Sequence, residues 1–361
     1  MKAYNKTTLR NFITYGAVIA AYVILQILTT GGHVSNSLAG QLIPICVYIA
    51  MAVSLNLTVG ILGELSLGHA GFMSVGAFSG VVAAMSLQNV VASDPLRLLI
   101  AVAVGAVFAG IAGIIVGVPV LRLRGDYLAI VTLAFGEIIK NLLNNMYIGM
   151  DSEGLHFSMT SAEALRLLED GKMLVNGPMG ATGIQKLSTF TAGFILVMVV
   201  LIVTLNLINS RTGRAVKAIR DNRIAAESVG INITKYKLIA FVTSAALAGM
   251  AGAVYAMNYS TIVPKKFDFN TSILVLVFVV LGGMGNIRGS VIAAAALTIL
   301  PELLRAVNDY RMLIYAIVLI LVMLVGNNPT LQTLVSVAKE KVTSVFKKKA
   351  VKNAEGGGEN E

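Results

Sequence analysis

Residues 190–209, FTAGFILVMVVLIVTLNLIN, run directly into residues 210–237, SRTGRAVKAIRDNRIAAESVGINITKYK, which give way to residues 238–257, LIAFVTSAALAGMAGAVYAM. Neither outer piece contains a charged residue. The middle piece holds seven cations (Arg211, Arg214, Lys217, Arg220, Arg223, Lys235 and Lys237) and two anions, Asp221 and Glu227. About twenty apolar residues at roughly 1.5 Å each are enough to cross ~30 Å of hydrocarbon. The passage therefore reads as two membrane spans, near 189–208 and 237–257, joined by a charged helical loop that faces something soluble.

The same pattern recurs along the chain. Of its 361 residues 56% are hydrophobic and only 13% charged, whereas a soluble domain carries roughly 25% charged residues. Further spans are expected near 13–31, 38–58, 64–87, 96–120, 126–147, 271–286, 289–307 and 311–326. The fold class implied is an all-α polytopic membrane protein with about ten transmembrane helices, some of them broken. A membrane barrel would instead show alternating segments of ~10 residues, and none of these runs alternates.

The net charge of +10 fits a membrane topology better than a nucleic-acid surface. Short cytoplasmic loops collect Lys and Arg. With the N-terminus inside, Lys2, Lys6, Arg10, Arg122, Arg124, the seven of 210–237, Arg288 and six in the tail all fall on one side, 19 of the 28 cations. Residues 1–12 are then a cytoplasmic arm, 13–326 the transmembrane domain, 148–188 an outer loop, 210–237 a cytoplasmic loop, and 327–361 a cytoplasmic, partly disordered tail. Both termini are expected in the cytoplasm. The N-terminal apolar run resembles a signal peptide but is long and lacks a small-x-small cleavage site, so a retained signal-anchor is expected.

Several segments carry local signals. Residues 56–80 hold six glycines together with Asn56, Glu64, Ser66 and His69. Polar, glycine-broken backbone at membrane depth is tolerated where it is buried in protein or lines a cavity, as at transporter substrate sites. Gly76 and Gly80 read as a close-packing face, and Gly105, Ala109, Gly113 and Gly117 as one flat stripe of small residues. Glu137, Lys140, Asn141 and Asn144 fall on one face of a helix, turned to the bundle interior, a water path or the outer headgroups. Pro44 is expected to kink the second span. In the outer loop, Thr160 and Glu163 at capping-box spacing and Gly171 as a stop predict a short surface helix over 160–171. Glu302 and Arg305 are spaced to pair.

Other chemistry is absent. There is no G-x-x-x-x-G-K-[S/T] loop for ATP and no dinucleotide fingerprint in 282–289. His33, His69 and His156 show no metal-ligand spacing, and the single cysteine, Cys46, excludes an intrachain disulfide. Buried carboxylates such as Glu64 and Glu137 keep an ion-coupled carrier open as a second reading, and a membrane-embedded enzyme lacks clustered catalytic groups.

Taken together, NLTVGILGELSLGHAGFMSVGA (56–77), RLRGDYLAIVTLAFGEI (122–138), GRAVKAIRDNRIAAESVGINITKYKLIAFVTSAALAGMAGA (213–253), VVLGGMGNIRG (279–289) and LPELLR (300–305) resemble the LivM-type permeases of bacterial ABC importers for branched-chain amino acids. The resemblance covers roughly 40–325 and is strongest over 211–255. It implies a plasma-membrane permease of the ABC importer fold that transports leucine, isoleucine and valine, or urea and short amides as in relatives. It also implies a second permease, two ATP-binding subunits and an extracytoplasmic binding protein as partners. No cofactor is expected on this chain, since ATP would sit on the partner subunits. Such permeases dock through an E-A-A-x-x-x-G loop; Ala225, Ala226 and Gly230 match that spacing, Ile224 stands in place of the glutamate, and Glu227 is the nearby acid. Arg220 and Asp221 complete the expected coupling set. Asn56, Glu64, Ser66, His69, Glu137 and Asn141 form the expected translocation path. Two departures are an insertion over 149–175 and GNNPTLQ (326–332) in place of the family's Pro-x-Gly-Leu ending.

Overall fold

A computed structural model describes residues 2–32, 35–122, 126–168 and 171–304, with isolated positions from 310 to 324. The chain divides into two units, residues 1–302 and 303–361. The first is built on α1 (Lys2–Thr30), α2 (Asn36–Asn56), α3 (His69–Ser86), α4 (Asp94–Val120), α5 (Asp126–Asn144), α6 (Phe190–Asn209), α7 (Arg211–Asp221), α8 (Arg223–Ser228), α9 (Ile233–Ala256), α10 (Phe269–Gly282) and α11 (Ile287–Leu303).

Among the described residues, seven helices are long and apolar enough to cross a membrane: α1 to α6 and α9. The spans expected near 271–286 and 289–307 form α10 and α11, apolar helices of 14 and 17 residues that are shorter than the ~20 residues of a full crossing. They meet at a glycine turn, where a Cβ on Gly289 would lie 1.7 Å from the Gly282 carbonyl oxygen. The tenth expected span is described only at isolated positions, and the tail 327–361, Arg124 and Arg305 lie outside the described residues. Glu302 accepts a hydrogen bond from the Ser37 hydroxyl.

α2 is largely buried from Leu42 to its end, and it continues through Pro44 without interruption. It carries on into a π-helical turn, Leu57–Leu62. The chain is then non-helical to Gly68, so the third span begins five residues later than expected and is broken, as the glycines foretold. The close-packing stripe is real. α9 packs most extensively against α4 and α3, and the contacts are backbone to backbone. A Cβ on Gly249 would lie 2.3 Å from the Ala109 Cβ and 2.5 Å from the Gly105 oxygen; one on Gly76 would lie 2.2 Å from the Gly249 oxygen. Helices in lipid have no hydrophobic force between them, so such close approach is what holds them together.

The outer loop corrects one expectation. Instead of a surface helix over 160–171 there is only a 3-10 turn, Glu163–Leu165. The capping box does not form: Ser161 rather than Thr160 accepts from the Ala164 N–H, at 3.3 Å. The loop is organised by a three-stranded antiparallel sheet, β1 (Tyr147–Asp151), β2 (Gly154–Ser158) and β3 (Lys172–Asn176), in the order β2-β1-β3. A second, two-stranded pair joins β4 (Ala181–Thr182) to β5 (Thr261–Ile262). Asp151 locks the β1–β2 turn. Its Oδ1 accepts from the Glu153 and Gly154 N–H groups at 2.9 and 3.2 Å and contacts His156 Nε2 at 3.0 Å, while Oδ2 accepts from the Leu168 N–H at 3.3 Å. Burial raises its pKa, but these hydrogen bonds together hold it below the ordinary carboxylate value.

The packing and the sheet each make a testable demand. Gly249→Val should cost at least the ~1–3 kcal/mol of core overpacking, whereas Gly110→Ala, whose Cβ would only touch Ala246 at 3.7 Å, should stay within roughly 0.5 kcal/mol; thermal melts of the purified protein in detergent decide. For Asp151 the folded pKa is depressed, so its stabilisation is complete above the unfolded value of 3.8 and fades as pH falls through the lower folded value. Protection factors for hydrogen exchange over 147–168 should fall in acid in the wild type and lose that dependence in Asp151→Asn.

Candidate functional site

The basic loop folds as two short helices bounded by three side-chain caps. Ser210 Oγ accepts from the Gly213 N–H at 3.1 Å, Asn222 Oδ1 from the Ala225 N–H at 3.0 Å, and Asn232 Oδ1 from the Lys235 N–H at 3.0 Å. Each cap satisfies a helix-end donor and contributes ~1 kcal/mol. α7 enters directly from α6, and Gly213 permits it: a Cβ there would lie 2.2 Å from the Leu207 oxygen. α7 buries Gly213, Ala215, Val216 and Ile219 and turns Arg211 and Arg214 outward. Ile219, Ala226 and Ile233 form the small core of the loop. Gly230, at φ +82°, closes α8, and the Ile231 N–H donates to the Ala226 oxygen at 3.1 Å.

Of the expected coupling residues, Asp221, Ala225, Glu227 and Gly230 are exposed, and Ala226 is buried within the loop. Beside them stand two apolar side chains that the sequence pattern does not single out as a pair: Ile224 at 81% and Val229 at 74% exposure. Lys217 is held below the ordinary lysine range by burial and by the Arg220 charge, partly offset by Asp221.

Arg220 ties this loop to the broken helix. Its Nη1 donates to the Gly60 carbonyl at 3.0 Å, and its Nε and Nη2 donate to Asp221 Oδ1 at 3.1 and 2.9 Å. Its aliphatic stem lies so close to Gly63 that a Cβ there would sit 2.6 Å from Cγ. Gly63 also has φ +81°, so two independent reasons require glycine. Asn56 completes the knot. Its Oδ1 accepts from the Gly285 N–H at 2.8 Å and its Nδ2 donates to Ser290 Oγ at 2.8 Å. A Cβ on Gly60 would lie 1.9 Å from Asn56 Oδ1 and 2.1 Å from the Gly285 nitrogen. Three segments far apart in sequence (56–63, 220 and 283–290) thus meet through hydrogen bonds that leave no space for a methyl group.

The remaining path residues divide into two groups. Glu64 forms a buried ion pair with Lys237, in the first turns of α9, with side chains 14% and 5% exposed. His69 Nε2 lies 2.8 Å from Ser54 Oγ, whose own proton goes to the Met51 oxygen. Ser66 is buried and its hydroxyl has no partner among the described residues. The backbone around them is wired to neighbours: the Leu67 N–H donates to Thr132 Oγ1 of α5 at 3.1 Å and the Ala70 N–H to Ser272 Oγ of α10 at 3.1 Å. Glu137 and Asn141 lie farther along α5. Glu137 pairs with Lys140, and Asn141 is exposed; neither joins the cluster around Glu64.

Similarity to known proteins agrees with this arrangement. The family described as branched-chain amino acid transport system / permease component matches residues 37–323. The chain belongs to this family. It is 35% identical over 289 residues to the high-affinity branched-chain amino acid transport system permease protein LivM of Salmonella typhimurium, covering 77% of this chain and 66% of that protein. The LivM of Escherichia coli gives 36% over 291 residues with the same coverage. The ribose import permease RbsC of Escherichia coli gives 25% over 320 residues, 86% of this chain and 92% of that one. The chain thus spans just under two thirds of the length of its LivM relatives. No solved structure matches it significantly. As a member of this family it is a multi-pass membrane protein, and a permease component rather than an enzyme.

The residue that sequence reasoning missed is Lys237. A lysine in the first turns of an apolar span is a signal in itself, because a charge at that depth needs a partner. Lys237→Met should leave the Glu64 carboxylate buried without a counter-charge and cost about 3–5 kcal/mol, whereas Glu64→Gln/Lys237→Met should recover most of it. Thermal melts followed by circular dichroism distinguish these outcomes; an unchanged single variant would show that the pair contributes nothing.

Proposed function

We propose that this chain is a membrane permease subunit of an ATP-driven importer for the branched-chain amino acids leucine, isoleucine and valine. In this reading it sits in a bacterial plasma membrane with both termini in the cytoplasm. It pairs with a second permease of the same family, two ATP-binding subunits and an extracytoplasmic binding protein. The chain itself holds no nucleotide or other cofactor, and ATP acts on the partners. Support for the substrate comes from the names of the LivM relatives.

The observation that carries the mechanism is the join between Arg220 and Gly60. Residues 210–237 gather the cations expected on the cytoplasmic side and end in Ile224 and Val229, apolar side chains turned to solvent. That is the composition of a contact surface: an apolar centre with a charged rim. A displacement of α7 by an ATP-binding subunit would pass through the Arg220 guanidinium to the π-helical turn, and from there through Asn56 to the glycine turn between α10 and α11. π-turns often occupy functional sites, and the rigid contacts on either side would convert a shift of the loop into rocking of whole helices. The Glu64–Lys237 pair would join the same movement to α9.

Arg220→Met should keep assembly with the ATP-binding subunits yet uncouple hydrolysis from uptake. Ile224→Asp/Val229→Asp should instead abolish assembly. The measurement is ATP hydrolysis and leucine uptake in vesicles holding the complete importer. Uptake driven by an ion gradient without any ATP-binding subunit would overturn the reading. Competition among leucine, isoleucine, valine and urea at the binding protein fixes the substrate.

A further inference from the structure

At the end of the bundle away from the basic loop, α3, α4 and α5 enclose a cleft of about 660 Å³. Its walls include Val75 and Val82 of α3, Val104 of α4 and Leu142 of α5, and its roof is the face of the sheet bearing Ile148 and Phe157. Those two are direct cross-strand partners, as are Met150 and Leu155, so β1 and β2 present one continuous apolar face. The lining is almost wholly apolar. Along α3 it runs from residue 75 to residue 87, roughly 18 Å of helix, close to the ~15 Å that one leaflet contributes to a ~30 Å hydrocarbon core.

Beside the cleft is a second, polar pocket, of about 190 Å³, lined by Ser86, Gln88, Asn89 and Lys172 among others. Ser86 lines both spaces, and its hydroxyl is buried without a hydrogen-bond partner among the described residues. Asp151 also borders this pocket, but its carboxylate is already engaged by three backbone N–H groups and His156. Lys172 is exposed and brings an ammonium donor to the same pocket, beside that carboxylate.

We propose that this pair of spaces is a phospholipid site: one acyl chain lies in the cleft under the β1–β2 hairpin, and the phosphate is held at Lys172, Gln88 and Asn89 with Ser86 at the junction. An apolar slot as deep as one leaflet, continuous with a small pocket that offers amide, hydroxyl and ammonium donors, has the two-part chemistry of a glycerophospholipid. A substrate amino acid is too short to use both. The site requires only that α3, α4 and α5 cross the membrane, which the family assignment supplies, so it stands or falls apart from the identity of the transported solute.

The test reconstitutes the complete importer in vesicles of phosphatidylglycerol or of phosphatidylcholine, each with a trace of phospholipid bearing a diazirine midway along one acyl chain. After irradiation, labels should concentrate several-fold on residues 75–87 and 139–157 relative to the exposed outer face of α4 at Ile111 and Ile115. Val104→Trp, or Ala83→Leu should the first fail to fold, should abolish that excess while leucine uptake persists. Lys172→Met should lower labelling from phosphatidylglycerol roughly fivefold, the factor expected for one cation at an anionic surface. Equal labelling of both faces would overturn the site, as would cysteine cross-links from Val104 and Leu142 to the second permease in place of lipid.

Discussion

Backbone-to-backbone contact among α3, α4 and α9 is the constraint on which the rest of this structure depends. Lipid offers no hydrophobic gain for bringing two apolar helices together, so attraction must come from dispersion and weak polar contacts at close range. Gly76, Gly105, Gly249 and Gly252 supply that range. A Cβ on Gly252 would lie 2.0 Å from the Met73 oxygen. Because these contacts are so close, the three helices form a frame with little freedom to repack, and the broken segment 57–68 is held against that frame rather than held by it.

A second consequence concerns where irregular backbone is placed. Residues 57–68 leave the regular helix pattern within a largely buried environment, which is permitted only if their polar groups find partners elsewhere. They and the first turn of α3 do so through Thr132, Ser272, Arg220 and Lys237, one from each of four separate elements. The segment is therefore a junction by necessity. Breaking a helix at membrane depth obliges the surrounding elements to send side chains to it. The basic loop reaches the junction through the Arg220 guanidinium and, where it enters α9, through the Lys237 ammonium, so a solvated surface is joined directly to buried helices.

The opposite end is built differently. There the chain uses a small sheet, pinned by a single engaged carboxylate, and leaves an apolar slot beneath it.

Much of this was legible in the sequence. Charge-free runs beside a cluster of seven cations determined the helical membrane class, the placement of the loop and the absence of any nucleotide motif. The four-residue spacing of Gly105, Ala109, Gly113 and Gly117 determined a packing stripe, because helical periodicity converts spacing directly into a face. What remained hidden were relations between distant positions. Nothing local tells that Asn56 joins Gly285, that Arg220 reaches Gly60, or that Glu64 finds Lys237 173 residues away. The surface helix expected over 160–171 failed for the same reason: a local capping signal was outweighed by pairing between β1 and β3, strands separated by twenty residues. Sequence by itself determined which stretches are apolar enough to enter lipid and where along the chain charge gathers, since both depend on transfer energies of single side chains. Only the tertiary structure decided which glycines are obligatory, which charges are paired and which loop residue carries the link, since each of those depends on what another part of the chain brings within about 3 Å.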